Sequence, residues 1–109
     1  MTVWLFVLFD LPTETKKERK DAYLFRRDLE RDGFRMFQYS VYIRHCPDWD
    51  RAQTHERRIR RSAPEGGRIS VLRVTDHEYA TMTNIWGTTE RRRRGDDRRE
   101  PSLFNPTND

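Results

Sequence analysis

Apolar residues run unbroken from 3 to 9, as VWLFVLF, and the run stops at Asp10. A short run rich in β-branched and aromatic side chains predicts a strand, and its lack of alternation predicts cover on both faces. Helices would supply one cover, and a second layer such as another subunit the other. The pattern then changes period. Across residues 13–32, Ala22, Phe25 and Leu29 fall on one stripe at about 100° per residue, which predicts a helix. Thr15 with Glu18 three residues later has capping-box spacing, and Gly33 supplies the stop.

Residues 34–45, FRMFQYSVYIRH, are extended-type sequence but too long for one ordinary strand. A split is expected at 38–40, although no Asn-Gly or Asp-Gly marks a hairpin there. Asp48 can cap a second helix through Ser62, with Trp49, Ala52 and Ile59 as its sparse apolar side. Pro64 and Gly66-Gly67 end it, and residues 68–74 predict another strand. Thr75 and Glu78 repeat the capping-box spacing before a helical turn at 77–82, and Ile85-Trp86 predict a brief C-terminal edge strand. The order βαββαβ predicts an α+β, ferredoxin-like domain over residues 1–87: one antiparallel sheet with two helices on one face. Residues 88–109 are expected to be a charged tail. The open face of the sheet suits a sheet-to-sheet homodimer.

Composition changes the picture in one respect. Charged residues make up 37% of the 109-residue chain and outnumber the 34% hydrophobic ones, with a net charge of +4. The positive balance comes mainly from arginine, whose guanidinium fork matches phosphate oxygens. The single cysteine, Cys46, excludes an intrachain disulfide and fits a reducing, cytoplasmic setting. No stretch approaches the roughly 20 apolar residues needed to span a bilayer, so no membrane partner is expected. The N-terminal run lacks a basic lead-in and a cleavage site, which favours a strand over a signal peptide.

The predicted first helix sorts its charges. Lys16, Lys20, Arg27 and Arg31 lie opposite the apolar stripe, with Tyr23 among them and Arg19 and Arg26 alongside. Glu14, Glu18, Asp21, Asp28 and Asp32 lie mostly on one flank. Two readings stand: a solvated face laced with pairs such as Arg26–Glu30, or a stripe that contacts phosphates. Asp10 has three readings. It can satisfy turn amides before Pro12, accept from a Lys or Arg at the helix start, or bind Mg²⁺, which takes one or two carboxylates plus water and phosphate oxygens. One carboxylate makes a poor site, and a twofold dimer bringing two copies of Asp10 together would answer that objection.

His45, Cys46, His55 and His77 lack zinc-finger spacing, and no nucleophile elbow, phosphate-binding glycine loop or HExxH motif occurs. Phe37, Tyr39 and Tyr42 could stack bases on a sheet, but core and interface packing is the better reading. Arg91, Arg92, Arg93 and Arg94 can touch phosphates or merely solubilise a tail.

Together, "VLFDLP", "TKKERKDAYLFRRDLERDGF", "FQYSVYIRHC", "ISVLRVTDHEY" and the following "IWG" resemble the CRISPR-associated protein two family, especially members accompanying type II systems. The resemblance covers roughly residues 1–87. It implies a ferredoxin-like homodimer packed through its sheets, with Asp10 at the family's strand-end aspartate and its two copies facing across the dimer axis. It implies metal-dependent endonuclease activity on RNA or DNA, with Mg²⁺ or Mn²⁺ held by Asp10. It also implies a part in spacer acquisition, bridging dimers of the CRISPR-associated protein one integrase. Basic residues of the first helix, by position Lys16, Lys17, Arg19, Lys20, Arg26, Arg27 and Arg31, would then hold duplex protospacer DNA by its backbone. A C-terminal strand often engages neighbouring subunits in the family, and here an arginine-rich insertion departs from that pattern. The competing expectation is a toxin-like ribonuclease of related fold acting without CRISPR partners.

Overall fold

The structure, a computed structural model, describes residues 2–87. Strand β1 (Val3–Asp10) lies inside a four-stranded antiparallel sheet with β2 (Arg35–Gln38), β3 (Val41–Cys46) and β4 (Arg68–Thr75), in the order β2-β3-β1-β4. Helices α1 (Lys16–Arg31) and α2 (Trp49–Ser62) connect the strands, and a short α3 (Asp76–Ala80) follows β4. This is the predicted ferredoxin-like α+β arrangement.

Helices α1 and α2 cover one face of the sheet, and the core lies between the two layers. Val3, Leu5, Val7 and Phe9 alternate along β1 onto that face and are buried with Phe25 and Leu29 of α1, Tyr42 of β3 and Ala52 and Ile59 of α2. Phe25 meets Phe9 edge-on at 5.2 Å. The intervening β1 residues, Trp4, Phe6, Leu8 and Asp10, point to the other face. Phe6 is nonetheless buried, because Phe37 of β2 and Tyr79 of α3 close over it, with ring centroids at 5.6 and 6.2 Å. Leu8 remains 39% exposed and Leu72 of β4 52%. Within one chain, therefore, the predicted cover on the second face is only partial.

A polar network fastens the helix layer to β3. His55 is buried on α2, its Nδ1 2.7 Å from the carboxylate of Asp32, the C-cap of α1. Arg44 of β3 donates through Nε to His55 Nε2 at 3.0 Å, and Arg58 donates to Asp32 at 2.6 Å. Since Nε2 accepts, Nδ1 carries the proton and donates to Asp32. Gly33 lets the chain turn here: its φ is +85°, and a Cβ would collide with the Arg44 guanidinium.

Several boundaries differ from expectation. α1 starts at Lys16 rather than 13, because Thr15 is its N-cap and the Glu18 side chain accepts from the backbone N–H groups of Glu14 and Thr15. α3 ends at Ala80, where the Thr81 N–H and hydroxyl both turn back to the His77 carbonyl. Ile85 and Trp86 form no strand. Ile85 is 90% exposed, and so short a segment makes too few ladder bonds to offset the entropy of ordering it. Residues 88–109, including the tail and Arg91 to Arg94, lie outside the described residues.

Candidate functional site

Asp10 lies where several connections meet at one end of the sheet. Asp10 ends β1, α1 begins a short loop later at Lys16, the β2–β3 turn arrives beside Phe9, and the Gly66-Gly67 loop leads into β4. Asp10 points to the open face with an exposed side chain. Among the described residues its carboxylate has no hydrogen-bond or ion-pair partner. The turn-amide and cation-accepting readings of Asp10 therefore find no bond to support them.

The backbone under Asp10 is tightly specified. Gly67 has φ +76°, and a Cβ there would lie 2.7 Å from the Asp10 carbonyl oxygen and 2.8 Å from Leu11. Only glycine meets both demands without strain. On the other side, Phe9 N–H donates to the Ser40 carbonyl at 3.1 Å, and Ser40 itself has φ +66°.

The basic residues of α1 divide into two sets. Lys16, Lys20 and Arg31 are exposed and, among the described residues, carry no side-chain partner. The others are engaged. Lys17 pairs with Asp21 at 2.8 Å, which holds its pKa above the usual lysine value. Arg19 donates to the carbonyls of Thr13 and Glu14 at 3.1 and 3.0 Å, bracing the loop after Asp10. Arg26 lies over Phe9 and Tyr39 at 5.2 and 4.7 Å and donates to Ser40 Oγ at 3.2 Å. Arg27 sits 3.7 Å from Asp28. The Nε groups of Arg26 and Arg27 are buried without a hydrogen-bond partner, so both side chains lie along the protein rather than extend from it.

The aromatic trio is not a stacking platform. Tyr42 is buried under the helices, Phe37 packs on Phe6 at the open face, and exposed Tyr39 carries Arg26. Cys46 is buried at the end of β3, as expected of a residue that finishes a strand.

Two cationic features escaped sequence reasoning. α2 presents Arg57, Arg60 and Arg61 on its exposed side, a cluster visible in the sequence but overshadowed by α1. Arg68, at the start of β4, stands directly opposite Asp10 in the antiparallel ladder. Nothing in the local sequence announces that pairing, because it depends on strand register.

Among the described residues no group of three or more His, Cys, Asp or Glu converges as a metal cluster. No described helix is long and apolar enough to cross a membrane. What fold and site define is a ferredoxin-like α+β protein with an unpartnered strand-end carboxylate on its open sheet face and a basic helix on the other.

The profile of the family described as CRISPR associated protein Cas2 matches residues 1–82. Curated relatives named CRISPR-associated endoribonuclease Cas2 bear this out. The one from Flavobacterium psychrophilum is 50% identical over 86 residues, covering 79% of this chain and 75% of its own. Those from Parvibaculum lavamentivorans and Ligilactobacillus salivarius are 44% and 41% identical, over 73% and 76% of this chain and 79% and 82% of theirs. The chain belongs to the Cas2 family of CRISPR-associated proteins.

Proposed function

We propose that this chain acts in CRISPR spacer acquisition as a homodimeric nucleic-acid-binding protein with metal-dependent endonuclease chemistry at Asp10. The observation that carries the reading is the free Asp10 carboxylate on the open sheet face, one short loop before α1 in the chain, in a protein whose relatives are named endoribonucleases. A sheet-to-sheet dimer would cover Leu8 and Leu72 and bring two Asp10 copies toward one axis. Lys16, Lys20 and Arg31, free of internal partners, would grip the phosphate backbone of duplex protospacer DNA. The dimer would then bridge the CRISPR-associated protein one integrase.

Asp10 suits Mg²⁺ in particular. That ion binds through one or two carboxylates and takes its remaining oxygens from water and phosphate, whereas a structural zinc site needs four nitrogen or sulfur ligands that are absent among the described residues. Bound there, Mg²⁺ or Mn²⁺ would stabilise the charge that builds on a phosphodiester during hydrolysis. The chain itself supplies the carboxylate, the fixed backbone beneath it and the cations that hold the nucleic acid.

The test pairs two assays. Wild type and Asp10→Asn are compared for RNA and DNA cleavage with Mg²⁺ and with EDTA, and for integrase pull-down and spacer integration. Loss of cleavage in Asp10→Asn with retained integration separates nuclease from scaffold. Cleavage retained in Asp10→Asn overturns the site. Alanine at Lys16, Lys20 and Arg31 together should weaken duplex affinity and flatten its salt dependence; unchanged affinity overturns the helix reading.

A further inference from the structure

Asp10 and Arg68 are direct partners in the β1–β4 register. Directly opposed residues of an antiparallel pair share a face and hold their Cβ atoms about 4.5–5.5 Å apart. An aspartate and an arginine so placed ordinarily close an ion pair. Here both side chains are exposed and, among the described residues, neither makes a hydrogen bond or ion pair. Two opposite charges thus stand side by side on the open face with their bonding capacity unspent.

Their relative position is not left to chance. Gly66 and Gly67, at φ +72° and +76°, fold the α2–β4 loop back against Pro12 and the Asp10 carbonyl, so Arg68 starts its strand from a fixed point. Consecutive left-handed residues favour glycine, which adopts them at no steric cost. That restraint fixes where the two backbones meet at this rung of the ladder, and both side chains leave it toward the same face.

We propose that Arg68 is a phosphate-binding residue of the Asp10 site, its guanidinium taking the non-bridging oxygens of the phosphodiester that Asp10 addresses. The inference rests on the nuclease reading above. A carboxylate alone repels a phosphodiester. A guanidinium beside it supplies a permanent positive charge and a donor fork that fits two phosphate oxygens. The engaged arginines of α1 cannot supply it: Arg19 is held by loop carbonyls and Arg26 by Ser40, Phe9 and Tyr39. Arg68 is the cation that the ladder sets against Asp10.

The full-length protein carrying Arg68→Ala, Arg68→Lys, Asp10→Asn or both Asp10→Asn and Arg68→Ala tests this. Single-turnover cleavage of a labelled single-stranded RNA with Mg²⁺ should fall about 100-fold in Arg68→Ala, the scale of removing one donor to a reacting oxyanion. Arg68→Lys should recover only part, because a point charge replaces a fork. On the Asp10→Asn background, Arg68→Ala should flatten the salt dependence of RNA binding by about 0.7 in log–log slope, one single-strand phosphate contact. Dimer mass and melting temperature should stay at wild-type values. Wild-type cleavage by Arg68→Ala while Asp10→Asn is inactive overturns the inference. So does a loss that tracks a fall in dimer mass, which would make Arg68 a subunit contact. If Asp10→Asn cleaves normally, the nuclease reading fails, and an unchanged salt slope then rejects Arg68 as a phosphate contact.

Discussion

Burial pushes the Cys46 thiol above its ordinary pKa, and the neighbouring Arg44 guanidinium offsets part of that. The thiolate is the reactive form, so this cysteine should be inert in the native protein. We expect an aromatic disulfide reagent to label Cys46 slowly under native conditions and rapidly in denaturant; equal rates would contradict the burial. Gly67 is the second residue whose setting makes a sharp prediction. Gly67→Ala should cost about 1–3 kcal/mol in urea unfolding, since it forces a side chain into left-handed backbone against the Asp10 carbonyl. At this scale Asp10 was legible in sequence because a charge that ends an apolar run is conspicuous. Arg68 was not, because a register between segments nearly sixty residues apart leaves no local trace.

Among the elements, the capping boxes were plain from spacing and formed as expected at Thr15 and Thr75. Thr15→Ala should lower stability by about 1 kcal/mol, read as a shift in the denaturation midpoint. The reciprocal partner gives a pH signature. The backbone N–H of Thr15, with that of Glu14, stabilises the Glu18 carboxylate and holds its pKa below the usual glutamate value. Its contribution is therefore present above the ordinary glutamate pKa and fades as pH falls through the lowered folded value. The melting advantage of wild type over Glu18→Gln should shrink across that acid window; a constant gap would rule the linkage out. The β2–β3 turn was harder to find. It has no Asn-Gly, and its Ser40 adopts positive φ with Arg26 of α1 bonded to its hydroxyl. That turn is held from a distant helix, which local turn chemistry cannot reveal.

For the whole molecule, the order of elements through β4, the helix layer and the open sheet face followed from periods, caps and glycine stops, while the expected strand at Ile85-Trp86 did not form. The partial cover by Phe37 and Tyr79 did not follow from them, since it arises where distant aromatic side chains meet over Phe6. The uncovered remainder is apolar at Leu8 and Leu72. If this face pairs two subunits, Leu72→Glu should convert a dimer to a monomer in sedimentation while far-ultraviolet circular dichroism is preserved. A wild-type dimer mass in that variant would place the interface elsewhere.

The two margins of the sheet differ in a way that matters for assembly. β2 has four residues and loses register between Met36 and Gln38, so its outer backbone offers few aligned groups to an incoming chain. β4 runs eight residues in unbroken register with β1, and its other margin pairs with no strand among the described residues. Strand addition is thereby favoured at the β4 margin over the β2 margin. A sheet that grows mainly in a single direction can accept a partner's strand and stop, where one open on both sides could propagate into a fibre.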